Sequence, residues 1–172
     1  MNKTTVKEYL AEVAELVEDS IHEAAVESTE NGAVLHMTAS SPFKEGEEIS
    51  YSVSVEEFKG DMYIFRTVIL AFINIPEKSL EDVSAVIAEL NPRIVFGSFI
   101  LAEELGAVMF SHSFLLDETV TTMTAARILL KSISLMENAV FNAGQWIYDL
   151  LDGKYSVSEI KAALNEEGEG ND

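Results

Sequence analysis

The chain has 172 residues, 48% of them hydrophobic and 24% charged, and its 30 acids against 11 bases give a formal net charge of -19. That length and balance belong to one ordinary globular domain with a sizeable core, and the charge argues against nucleic acid or an anionic membrane as partner, since both need clustered Lys and Arg. Cysteine is absent, which removes disulfides and thiolate chemistry. No stretch has the ~18 uncharged apolar residues of a membrane span, and the N-terminal residues lack the apolar core of a secretory signal, so a cytoplasmic protein is expected.

Taken in order, Thr5 and Glu8 have the spacing of a capping box. Val6, Leu10, Val13, Val17, Ile21 and Ala24 then recur every three or four residues, with Glu8, Glu12, Glu15, Asp19 and Glu23 on the opposite side. This spacing predicts an amphipathic first helix of about five or six turns, ending before Asn31-Gly32, a pair suited to positive φ. A short strand is expected from Ala33 to Ala39. The next one is plain, because Ile49, Tyr51, Val53 and Val55 alternate with Ser50, Ser52 and Ser54, as in a strand with one buried face. After a turn at Lys59-Gly60-Asp61, the run from Met62 to Ile73 is apolar on both faces except for Arg66 and Thr67. Such a run predicts a central strand covered on both sides, or covered once and left partly bare.

Ser79 caps a predicted helix from Leu80 to Leu90, with Glu81 and Asp82 in its first turn, and Pro92 stops it. The stretch from Asn91 to Leu116 reads as a hairpin with a short acidic turn closing on Gly106. Gly97 within its first strand indicates a bulge or a close backbone approach. From about Thr119 to Leu151 the helical period returns, with Gly144 as a possible break. Met123, Ala126, Leu130, Ile133, Val140 and Ile147 form one apolar stripe, and Ile128, Leu135, Ala139 and Trp146 form a second. One contact buries roughly a 100° arc of a helix, so the second stripe calls for a second partner. Ser156 and Glu159 open a short last helix through Leu164, before an acidic, disordered tail over 166–172. The expected architecture is a single α+β domain over 1–165, in the order α-β-β-β-α-β-β-α, with helices packed on a five-stranded antiparallel sheet and a short helix appended.

Catalytic and metal signatures are missing. His22, His36 and His112 lie far apart in sequence, and HExxH, a phosphate-binding glycine loop and a GxGxxG run are all absent. Glu103, Glu104 and Asp117 have no spacing that demands a metal. Ser111 and Ser113 flank His112, but neighbours on a strand point to opposite faces, which makes direct pairing poor. The expectation is therefore a non-enzymatic protein without cofactor or metal. The residues that suggest contact with another protein or a second copy are Arg66 in its apolar strand, Ile128, Leu135 and Trp146 of the second stripe, and Phe96 and Phe99 of the hairpin.

The stretch from Ser79 to Leu129 also resembles the YbjN-like family, whose domain is related to type III secretion chaperones. The shared features are the helix ending in Leu90-Asn91, the strand containing Phe96-Gly97-Ser98-Phe99, a second strand, and Leu115-Leu116 leading into a long helix. With the preceding strands the resemblance covers roughly Leu35 to Phe141. It implies a small acidic protein, often dimeric, that binds another protein across hydrophobic patches, or alternatively a regulatory adaptor in sensory transduction or stress response. A ligand-binding protein or enzyme comes third. No catalytic residue is carried over, and the long first helix and added last helix depart from the pattern.

Overall fold

The computed structural model describes residues 3–17, 23–30, 32–58, 62–117 and 119–169. Among them are helices α1 (Lys3–Val17), α2 (Leu80–Leu90), α3 (Thr122–Leu151) and α4 (Val157–Glu169). The strands are β1 (Glu23–Ser28), β2 (Gly32–Ser40), β3 (Glu48–Glu57), β4 (Met62–Phe72), β5 (Ser98–Ala102) and β6 (Ala107–Asp117). His22, Asn31, the turn at 59–61 and residues 170–172 lie outside the described residues.

The sheet corrects the expected five strands to six, all antiparallel, in the order β1-β2-β3-β4-β6-β5. The additional strand is β1, which the helical period assigned to the first helix through Ala24. Glu23-Ala-Ala-Val-Glu-Ser28 has good local helix formers, and propensity is a weak prior. Pairing decides otherwise, because β1 lays Val26 opposite Leu35, a fully buried residue of β2. The first helix correspondingly ends at Val17, and it already runs from Lys3 through Thr5, so Thr5 is not its cap. Two further expectations change. Helix α3 is continuous over 30 residues through Gly144, and α4 extends past Leu164 to Glu169, so residues 166–169 are helical, not part of a tail.

Burial alternates along β3 and β4, so one sheet face forms the core. Tyr51, Val53 and Val55 of β3, Phe65 and Ile69 of β4, and Phe110 of β6 point into it. The helices supply the other half. Helix α1 packs on β1 and β2, α3 on β4 and β6, and α2 on β5. Tyr9 of α1 meets Phe65 edge-on at 5.7 Å, and Phe65 stacks on Phe114 at 5.2 Å.

Helix α4 folds back on α2, with Ile160 and Leu164 buried and Lys161 paired to Glu89 at 3.1 Å. The expected capping box is present: the Ser156 amide donates to Glu159 Oε2 at 2.8 Å, and the Glu159 amide donates to Ser156 Oγ at 3.4 Å. Buried Asp149 fixes the turn before it, accepting from Gln145 Nε2 at 2.8 Å and Lys154 Nζ at 2.9 Å. Gly144 serves packing; a Cβ there would stand 2.9 Å from the Phe43 ring.

Candidate functional site

The opposite face of the sheet has apolar side chains and no helix over it among the described residues. Strand register assigns its rows. Ile64 of β4 lies opposite Leu115 of β6, Val68 opposite Ser111, and Leu70 opposite Met109, with Ile100 of β5 beyond Met109. On the other flank, Ser50, Ser52 and Ser54 of β3 oppose Leu70, Val68 and Arg66. Ile64, Val68, Leu70 and Met109 are half-buried by their own neighbours, while Leu115 is 49% and Ile100 44% exposed. None of these six packs against the core. The apolar residues form two groups, Ile64 with Leu115 and Val68 with Leu70, Met109 and Ile100, on either side of the Arg66–Ser113 row, and apolar groups open to solvent within a polar rim mark an interaction surface more often than single exposed residues do.

Arg66 sits in the middle of this face. It is exposed, flanked by Ser54 and Ser113, and pairs with no acid among the described residues. In a chain of net charge -19 an unpaired central guanidinium is a departure from the general field. Of the acids on the same face, Glu56 lies beside Ile64, Asp117 beside Met62, and Glu23 and Glu27 on the edge strand β1. Asp117 is held below the usual carboxylate range by hydrogen bonds from Thr119, whose amide donates to its Oδ1 at 2.8 Å.

At the β5 edge the side chain of Asn91, just after α2, acts as a substitute strand: its Oδ1 accepts from the Phe99 amide at 2.8 Å and its Nδ2 donates to the Phe99 carbonyl at 2.9 Å. One side-chain amide thereby occupies a position where another strand would pair. Gly97, with φ of 84°, allows the close entry to β5; a Cβ there would meet the Phe110 ring at 2.6 Å and the Ser111 carbonyl at 2.9 Å. It precedes the strand and does not lie within it.

The residues singled out from sequence do not come together. Arg66 alone is on the open sheet face. Phe99 is 2% exposed, with its ring edge-on to Phe110 at 4.9 Å, so it belongs to the core and cannot present itself to a partner. Phe96 is half-buried and stacks on His112 with ring centroids 3.6 Å apart. Trp146 is half-buried beside Tyr155 at 5.9 Å, so the turn before α4 covers that end of the second α3 stripe. Ile128 is half-buried and Leu135 is 51% exposed at the other end. The residues that sequence reasoning passed over are Ile64, Val68, Leu70, Met109 and Leu115. Their signal was the apolar run of β4 on both faces, beside a strand that alternates with serine.

The inner face carries His112. His112 lies opposite Thr67, whose hydroxyl is buried without a partner among the described residues. Burial lowers the His112 pKa from its usual 6.5. Among the described residues no group of three or more His, Asp or Glu side chains is placed to hold a metal. Nor is any helix among them long and apolar enough to cross a membrane. In comparisons with known proteins, the chain matches no family model and no curated protein.

Proposed function

We propose that this protein is a non-enzymatic binding module that docks a partner protein on the open face of its sheet. The observation that carries the reading is the row of apolar residues on that face, Ile64, Val68, Leu70, Met109 and Leu115, with no helix above it among the described residues. Burying such a patch yields roughly 25 cal/mol per Å² of apolar area, and an interface core needs that term to offset the cost of association. The resemblance to type III secretion chaperones and YbjN-like proteins supports the same reading, since those proteins are expected to bind others across hydrophobic patches. The two elements that depart from that pattern leave the face open, because α1 lies on β1 and β2 and α4 lies on α2. A regulatory adaptor that uses its last helix as the contact is less favoured, because the apolar residues Ile160 and Leu164 of that helix are already buried.

The partner is a second protein or a second copy of this chain. Sedimentation at micromolar concentration separates the two, since a monomer weighs 18.9 kDa. The deciding variant is Val68→Asp combined with Leu115→Asp, with circular dichroism as a check on folding. Loss of both self-association and partner capture in a folded variant is the expected result. Unchanged association in that variant would remove the open face from the reading.

A further inference from the structure

The open face does not end at Leu70. Ser50 and Leu70, its last paired row, also line a cleft of about 550 Å³ at the end of the sheet. The pairing of β4 with β6 shifts between Leu70 and Phe72. That irregularity re-aims Phe72 toward the helical layer, where its ring lies 4.8 Å from Phe43, and Phe43 in turn stacks on Tyr148 at 6.0 Å. The floor of the cleft is therefore apolar and aromatic. Its charged lining is Lys44, Glu47, Glu48 and Asp152, three acids to one base, and that base is already paired with Glu47. Among the described residues a continuous track thus has an unpaired cation, Arg66, at its middle and a net negative mouth at its end. Along a strand the four steps from Arg66 to Leu70 span about 14 Å, at roughly 3.4 Å each.

We propose that the partner's docking segment is extended and carries an acidic residue, an apolar residue and a basic residue at every second position, the acid over Arg66 and the base at the Glu48–Asp152 mouth. This rests on the open-face reading above and adds the chemistry of the segment. The period of an extended chain places residues i, i+2 and i+4 on one side. The middle one then meets Val68 and Leu70, where an apolar group is wanted. The charge pattern also explains how an acidic protein selects a partner: a uniformly basic segment would be drawn to the surface at large, whereas only a segment with both signs at this spacing satisfies Arg66 and the cleft together.

The test uses the full chain, isotope-labelled, titrated with synthetic peptides and followed by amide NMR shifts. The first peptide, Ac-TDTVTKT-NH2, has the proposed spacing. Ac-TTTVDKT-NH2 has the same composition with the charges adjacent, and Ac-TNTVTQT-NH2 is neutral. One exposed ion pair changes an equilibrium constant by up to about fivefold, so the first peptide should bind about fivefold to tenfold more tightly than either control, with shifts centred on Arg66, Val68 and Leu70. Arg66→Glu should reverse the preference toward Ac-TKTVTKT-NH2. Equal affinity for all three peptides at the open face overturns the charge-spaced segment and leaves open-face docking standing. Absence of shifts on the open face with any of the peptides overturns both. A failure of Arg66→Glu to switch preference also overturns the proposal.

Discussion

The two faces of one sheet are built from the same strands and face opposite environments. On the inner face, Phe65, Ile69 and Phe110 are fully buried under helices. One residue along the same strands, Ile64, Val68, Leu70 and Met109 are nearly as apolar and are sheltered only by one another. Apolar character by itself therefore does not place a residue in the core; the layer on top does. The inner face accounts for stability and the outer face, on the reading proposed above, for binding, so the same kind of substitution should have opposite consequences on the two sides.

Phe110→Ala should break the fold most. It empties a site packed against Phe99 and against the close approach at Gly97, and a buried Phe→Ala change costs about 3–5 kcal/mol. Leu115→Ala, three strand positions beyond His112 on the open face, should change stability by ~0.5 kcal/mol or less. Denaturant unfolding of the pair measures the contrast, and similar losses for both would mean that the outer face is covered after all.

Asn91→Ala should have the next effect. It leaves the Phe99 amide and carbonyl without the partners they have at 2.8 and 2.9 Å, at a cost of about 1–3 kcal/mol. Because it also frees a strand edge, the variant should aggregate more readily on warming, a change that light scattering detects. An edge as inert as before would show that Asn91 is not what blocks it.

The smallest effect concerns His112, on the inner face, whose pKa burial depresses from 6.5. Above pH 6.5 the group is neutral in both folded and unfolded chains and contributes no pH dependence. As pH falls below that, the unfolded state takes up the proton first, so stability declines until the depressed folded value is passed. Unfolding at about pH 7.5 and about pH 5.5 should therefore show a steeper decline for the natural chain than for His112→Gln.

Much of this molecule was legible in the order of its residues. The alternation of Ile49, Tyr51, Val53 and Val55 with serines placed β3 and its buried side, and the bounds Leu80–Leu90 are as observed, although Ser79 makes no side-chain cap hydrogen bond and instead closes a short 3-10 turn. The turn on Gly106, with its left-handed φ of 55°, was readable because only a few residues tolerate that conformation. Local chemistry dictated each of these, and local chemistry is what a sequence displays. The errors came where a distant partner decided. Ala24 continued a helical stripe, yet its segment pairs with β2 as an edge strand. Phe99 and Arg66 looked like equal candidates for contact, yet one ring is enclosed by Phe110 and the other side chain stands free.

For the open face the division is the same. The sequence by itself determined that β4 would be apolar on both sides and that one cation would stand within it. Only the tertiary structure decided that α1, α2 and α3 all pack toward one side and that α4 rests on α2, because the side on which a helix lands depends on the combined fit of every element to the core. That choice of side converts an ordinary central strand into a surface with an Arg66 at its middle.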